Sequence, residues 1–486
     1  MSARRTPAAS QAESVTTAAE REFLARFPAY RETVVLDQLR AADYARLDRC
    51  GCTYLDYTGG GLFGESQVRR HMDLLLGCRV LGNPHSHNPA SLASTGGLDD
   101  ARAAVREFFN APEDEFEVVF TANATGALKL VGEAYPFHRG GRYLLSYDNH
   151  NSVNGIREFA YGKGAQVDYV PVRRSDLRLD EDALARALRH PHGAPDRLFA
   201  YPAQSNFSGV QHPLEWVKEA QQLGWDVLLD CAAYAPTNPL DLHAVRPDYA
   251  VVSFYKLFGY PTGIGALIAR RPALAKLRRP WFAGGTIAFA SVQADEGYRL
   301  APGAPGFEDG TVDYLGLPAV TIGLQHLADF GMPTIHLRVT TLAAWLLEEL
   351  PRLRHGDGAP LVRVFGPAGM ERRGAVIALQ FLDPAGRPYD VYEVEREAGA
   401  AGICVRTGCF CNPGDGEVAH DISREDMERC FHDTRGLTTL MECQRLIEDT
   451  TGKVPNTLRV SLGLVSTFAD VSRFLAFSRR YLDRAR

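Results

Sequence analysis

The chain has 486 residues, 45% of them hydrophobic and 23% charged, enough for a large apolar core and about two or three domains. Its formal charge of −6 is spread without blocks, which argues against nucleic acid as partner, and no apolar run reaches the ~18 residues of a membrane helix. Arg4 and Arg5 have no apolar segment behind them, so no secretory signal is read and a cytoplasmic enzyme is expected.

Residues 1 to about 25 read as an arm that turns helical near "AAEREFLARFP", and 1–45 is set apart as an N-terminal arm and helix. From about 115, β-rich runs alternate with helical stretches: 116–121, 142–147, 166–172, 197–202, 226–230, 249–254 and 265–270. Several are apolar on both faces, as strands covered by helices on both sides must be. Seven such strands predict an α/β doubly wound, mostly parallel sheet in a large domain over 46–318. After "FEDGTVDYLGLPAV" comes a long helical pattern, 316–352, interrupted near Gly331–Pro333, then a strand at 375–382. A smaller α/β domain is drawn over 319–486. Nine cysteines, an odd number without an export signal, argue against disulfide scaffolding. The pairs Cys50/Cys52 and Cys409/Cys411 have no CxxC or His-rich complement, so no metal site is expected.

Ligands of an open parallel sheet bind beyond the carboxyl ends of its strands. After 116–121, "TANATGALKL" opens a helix at Ala124 and Thr125, where free N–H groups and the helix dipole suit a phosphate. There is no GxGxxG and no GxxxxGK[ST], so dinucleotide and NTP fingerprints are absent. His150 follows 142–147 as a site or a structural residue, and Gln204 and Asn206 follow 197–202. Asp230 ends 226–230, where it can cap the next helix or face a ligand. Lys256 follows 249–254 and alone can snorkel to solvent. Together, Asp230 and Lys256 suit pyridoxal 5′-phosphate: the amine takes the aldehyde as a Schiff base, and the acid keeps the pyridine nitrogen protonated. Desolvation and the cationic ring then depress the lysine pKa.

"GICVRTGCFCNPG" (402–414) places a thiol on a Gly/Pro/Asn loop, reachable rather than packed. Beside such a cofactor, a mobile thiol can take sulfur from L-cysteine, leaving a protein persulfide and alanine. "TLRVSLG" (457–463) carries Arg459, either a strand arginine or a bidentate clamp for an α-carboxylate.

Seven ordered segments carry a resemblance: "TYLDYTGGGLFGESQV", "GNPHSHNPAS", "VVFTANATGALKLVGEAYP", "AQSNFSGV", "SFYKLFGYPTGIGALI", "FEDGTVDYLGLPA" and "RTGCFCNPG". From about residue 40 to 465 the chain resembles the class V aminotransferase group of fold type I pyridoxal-phosphate enzymes, most closely the cysteine-desulfurase-like domain of molybdenum cofactor sulfurases. The resemblance implies Lys256 for the Schiff base, Asp230 on the pyridine nitrogen, His150 stacked on the ring and Asn206 on the phenolic oxygen. It puts Ala124, Thr125 and Ser253 on the phosphate, with Thr311 reaching in from the other subunit of a homodimer. Tyr255 stands where many desulfurases place a phosphate-binding histidine. Cys411 corresponds to the persulfide cysteine, with Cys409 as an alternative, and Arg459 to the substrate-carboxylate arginine. Sulfurases are two-part chains, whereas this sequence ends after the smaller domain; "CNPGDGE" also lacks the further cysteine of "CNPGAC". Both departures open acceptors other than molybdenum cofactor. The competing expectation is a lyase or aminotransferase that uses Lys256 without the thiol.

Overall fold

In the computed structural model, which describes residues 17–189, 196–294 and 297–484, all seven expected strands form and join one sheet. They are β1 (Phe116–Thr121), β2 (Arg142–Ser146), β3 (Gln166–Val170), β4 (Arg197–Pro202), β5 (Asp226–Asp230), β6 (Tyr249–Ser253) and β7 (Gly265–Arg270). Their order is β1–β7–β6–β5–β4–β2–β3; β7 is antiparallel to both neighbours and the other pairs are parallel. The mostly parallel α/β architecture read from the sequence is the one observed. Because β7 alone runs against the rest, the carboxyl ends of β1, β2, β4, β5 and β6 all open on the same edge.

Alternate side chains of one strand enter opposite cores. Val118, Phe120, Val227 and Leu229 pack on one face, while Val119, Leu228, Val251 and Leu267 pack on the other with Leu128 and Val131 of the helix Ala124–Ala134. Burial on both faces is why these strands carry unbroken apolar runs. The strand expected over 166–172 stops at Val170, where Pro171 lacks the N–H that a ladder needs. That expected over 249–254 stops at Ser253 because Phe254 opens a short helix, Phe254–Phe258.

A further core lies against a four-stranded antiparallel sheet ordered Val362–Phe365, Val376–Phe381, Leu458–Ser461, Arg406–Thr407. The long helical pattern is two helices, Leu317–Ala328 and Met332–Glu349, parted at Gly331, whose φ of 77° continues no helix. The chain's beginning belongs to this core. Phe23 of the helix Ala18–Arg26 is fully buried, stacked on Phe468 at 4.7 Å and edge-on to Trp345. Buried Arg338 ties down the next turns through Thr33 Oγ1 (2.7 Å), Tyr30 OH (2.7 Å) and Asp37 (2.7 Å). Of the expected arm, residues 1–16 lie outside the described residues, and from Ala18 onward it is docked.

The expectation against disulfides is corrected at one place: Cys430 and Cys443 are bonded, joining the helices Arg424–Phe431 and Leu440–Thr451. Only the helical hairpin brings these two together over a small apolar cluster with Ile447, so their spacing of 13 carries no recognisable signature. The other seven cysteines are free. No described helix is long and apolar enough to cross a membrane, and no group of metal-ligating side chains occurs among the described residues.

Candidate active site

The strand ends converge on a cavity of about 200 Å³. Lys256 reaches it from the helix Phe254–Phe258, whose other face is anchored by buried Phe254, Leu257 and Phe258. The turn that follows needs glycine: Gly259 has φ 80°, and a Cβ there would strike the backbone of Leu62 and Phe63. The loop "TGGG" packs against this turn, with Gly61 N–H donating to Tyr255 C=O at 3.0 Å. Burial pushes the Lys256 amine below the usual lysine range; Asp230 opposes the shift and Arg459 adds to it.

Asp230, at the end of β5, lines the same cavity and accepts from Ala232 N–H at 2.9 Å, so it caps the turn and faces the site at once. His150 caps the short helix Asn151–Asn154, its Nδ1 accepting from Ser152 N–H at 3.1 Å. Burial and then Lys256 hold its pKa below the ordinary histidine range, which favours the neutral ring.

At the other end of the cavity, Asn123 caps the helix Ala124–Ala134 by accepting from Gly126 N–H (2.9 Å), which leaves the N–H groups of Ala124 and Thr125 for a ligand. Thr125 Oγ1 meets Ser152 Oγ at 2.8 Å. Ser253 Oγ is buried without a well-formed hydrogen bond, its polar neighbour being the Tyr255 hydroxyl. Uncommitted donors at a helix N-terminus form an anion cradle.

The cysteine loop lies beside the cavity, tied to Asn206 and Asn151. Phe410 and Cys411 are successive non-glycine residues in the left-handed region, φ 55° and 57°, a conformation costing of order 1–3 kcal/mol each. The surroundings impose it. Phe410 C=O accepts from Asn206 Nδ2 (2.6 Å) and Cys411 C=O from Asn151 N–H (2.7 Å). Asn412 Nδ2 reaches Asp148 C=O (2.8 Å) and Asn206 Oδ1 (3.1 Å). The Cys411 residue is exposed and its thiol is near enough to influence the Lys256 amine; Cys409 is half-buried, and burial pushes its thiol up.

Two features escaped the sequence reading. Arg406 lies directly opposite Arg459 in the antiparallel pairing of the smaller sheet, two like charges that would repel. Asp56 neutralises both, accepting from Arg459 (2.8 Å) and from Arg406 Nε (2.9 Å). Arg459 also donates to Asn206 C=O (3.0 Å) and lies 4.5 Å from the Phe410 ring centroid, while its buried Nε has no partner. Asp56 stands in a quoted segment, but its partners are 350 and 403 residues away, beyond any local signal. The other feature lies behind the loop. Buried Asp415 accepts from Ser205 Oγ (2.6 Å), and burial with nearby Asp148 pushes its carboxyl well above the usual range; Asp148 itself pairs with His212 at 2.7 Å.

Thr311 is not brought to Lys256. It accepts from Asn83 Nδ2 at 3.4 Å and lines a different cavity of about 370 Å³ with Thr121 and Gly126.

The aminotransferase class-V family model matches residues 53–474. The chain is 33% identical to the molybdenum cofactor sulfurase of Arabidopsis thaliana over 91% of its length and 57% of that protein. It is 36% identical to the Homo sapiens molybdenum cofactor sulfurase, covering 91% of this chain and 51% of that one. It thus spans about half the length of the curated relatives it matches. Among solved structures, a cysteine desulfurase from Thermococcus onnurineus NA1 superposes with a TM-score of 0.74 at 22% identity, covering 91% of this chain and 97% of the other. The Escherichia coli cysteine desulfurase CsdA does so at 0.70 and 21%, covering 92% and 98%. A match over residues 53–474, on a fold that collects these side chains at its strand ends, shows that the chain belongs to the class-V aminotransferase family.

Proposed function

We propose that the chain is a pyridoxal 5′-phosphate-dependent cysteine desulfurase that takes sulfur from L-cysteine onto Cys411 and releases alanine. The observation that carries this reading is an exposed thiol, on a loop pinned in a strained conformation, within electrostatic reach of the Lys256 amine that lines the cavity with Asp230. The cavity fits the cofactor by its donors: uncommitted N–H groups at Ala124 and Thr125, the unpartnered Ser253 hydroxyl beside Tyr255, an acid, and an amine of lowered pKa. When bound, pyridoxal phosphate supplies an aldehyde and a protonated pyridine that withdraws electrons from the amino acid's α-carbon.

The chain's own groups do the rest. Ala124, Thr125, Ser253 and Tyr255 hold the phosphate. Asp230 keeps a proton on the ring nitrogen, His150 packs on the ring face, and the second amide N–H of Asn206 is available to the phenolic oxygen. Arg459 offers its free Nε and a neighbouring N–H as a fork for the substrate carboxylate. Lys256 would hold the cofactor's aldehyde, and its amine, of lowered pKa, is suited to carry the α-proton of the substrate. The Cys411 thiolate attacks the substrate sulfur: the S–S bond forms and the Cβ–S bond breaks, its electron pair staying with Cβ, which takes a proton from solvent. Return of the α-proton from Lys256 then gives alanine, with the persulfide left on Cys411.

A homodimer belongs to this reading. Asn83 meets Thr311, and the stretches that precede them in sequence expose large apolar side chains, Leu76 and Val80 in one, Phe289 and Val292 in the other. A second copy covering them brings Thr311 to its partner's cavity. Seven of the nine cysteines are free beside one bonded pair, and on that majority we place the protein in the cytoplasm. The named relatives make molybdenum cofactor the first sulfur acceptor to test.

The test is single-turnover reaction of cofactor-loaded protein with L-cysteine, followed by peptide mass mapping. Alanine should appear with a gain of about 32 Da on the Cys411 peptide, as persulfidation requires. Equal cysteine consumption by Cys411→Ala refutes the thiol's role.

A further inference from the structure

The pair Cys50/Cys52 finds its chemical partner across the fold. Residues Thr53–Tyr54 run parallel to Ile403–Cys404, with Thr53 opposite Ile403 and Tyr54 opposite Cys404. This register sets the Cys52 and Cys404 sulfurs 3.6 Å apart, although they are 352 residues apart in sequence. The junction is firmly held. Thr53 N–H donates to Gly402 C=O (2.8 Å) and Leu55 N–H to Cys404 C=O (2.9 Å). Arg473 spans the seam, donating to Gly51 C=O (2.8 Å) on one side and Ala401 C=O (2.5 Å) on the other. Cys404 is exposed and Cys52 is half-buried beneath it. To bond, the sulfurs must close to about 2.05 Å, and their strands are already paired.

We propose that Cys52 and Cys404 form a redox-active dithiol site, oxidised by hydrogen peroxide to an internal disulfide. Exposed Cys404 reacts first: its sulfur attacks peroxide, an S–O bond forms, the O–O bond breaks, and water leaves. The Cys52 sulfur then attacks the Cys404 sulfenic acid; the S–S bond forms, the S–O bond breaks, and the departing hydroxide takes the thiol proton as a second water. In sum, two thiols and one peroxide give one disulfide and two waters, and the two electrons lost by sulfur reduce the peroxide. The order follows from the environment, since burial and the adjacent Cys404 push Cys52 up to about 11, leaving it little thiolate until its neighbour is an electrophile.

Position gives the site its consequence. Asp56 lies four residues after Cys52, and Arg406 two after Cys404, and both belong to the charge cluster around Arg459. The disulfide would therefore clamp the two backbone segments that set that cluster, independently of whether Cys411 carries sulfur.

The test uses purified full-length protein, cofactor-loaded and without amino-acid substrate. It is treated with hydrogen peroxide, alkylated, digested without reductant and mapped by mass. The expected result is a cross-linked peptide pair containing Cys52 and Cys404, reversed by dithiothreitol, with the thermal midpoint raised by roughly 5 °C. Cys52→Ser should abolish the link and leave oxidation stranded on Cys404, while Cys50→Ser should form it as the parent does. Oxidation of Cys404 without a link in the parent protein overturns the proposal, and so does a dominant link from Cys404 to Cys50 or Cys411. The mapped peptide is the readout, so the result stands apart from any measurement of desulfuration.

Discussion

The site has two sides of unlike construction, the cavity's own wall and the cluster that packs beside it. One is made of strand ends: His150, Asn206, Asp230, Ser253 and Lys256 each stand within a few residues of the last pleat of a buried parallel strand. The other is made of loops and short pairings, with Asp56, Arg406, Cys411 and Arg459 gathered from both ends of the chain. The first wall is fixed by the same ladder that makes the core. The second holds a strained turn and two facing arginines, and it persists only because Asp56, Asn206 and Asn412 each bind more than one partner. On the function proposed above, cofactor chemistry falls to the rigid side, and substrate handling to the side whose parts depend on one another.

The largest effect is expected on the rigid wall, and with the least structural damage. Lys256→Ala should lower alanine release by roughly a thousand-fold or more, since the amine that moves the proton is gone. Its unfolding midpoint should stay close to the parent's, because Lys256 projects into the cavity rather than into the core. A large loss of stability would show that the amine also holds structure, and would erase the contrast between the walls.

Asp56→Asn tests the dependent wall. Removing one partner of a buried ion pair typically costs about 3 kcal/mol, and Asp56 with Arg459 is such a pair, while half-exposed Arg406 adds less. Denaturant unfolding should show a loss of that order. The KM for L-cysteine should rise by roughly ten-fold or more, with a smaller change in kcat, because Arg459 loses its orientation rather than its charge. Unchanged stability with unchanged KM would mean that Arg459 is placed by Asn206 and the Phe410 ring alone.

The same division decides what could be read from the sequence. All seven large-sheet strands were legible because burial on both faces forces unbroken apolar runs, and Lys256 and Asp230 followed as the residues just past them. The break near Gly331 was legible because glycine and proline act locally. Asp56 was not, since nothing near "LDYTGG" announces a cation on a strand hundreds of residues away. The Cys430–Cys443 bond was missed for a similar reason: an odd count of cysteines says nothing about which two face each other across a helical hairpin. Asp415 drew no remark in the sequence, and only burial beside Asp148 shows what that carboxyl does.

The smallest expected effect concerns that carboxyl. In the folded chain burial first and Asp148 second push the Asp415 carboxyl well above its ordinary range, with Ser205 donating to it and His212 occupying Asp148. A carboxyl whose pKa is raised on folding keeps its proton where the unfolded chain has lost it, so the folded state binds more protons and stability falls as pH climbs above the ordinary aspartate value. An amide in its place would keep the acceptor for Ser205 and remove the titration. Asp415→Asn should therefore match the parent's thermal midpoint at about pH 4 and exceed it by a few degrees near pH 8, the gap widening steadily between. Midpoint curves that run parallel across this range would mean that the carboxyl is ionised in the fold. The cysteine loop would then rest on a buried charge rather than on a neutral hydrogen-bonded acid.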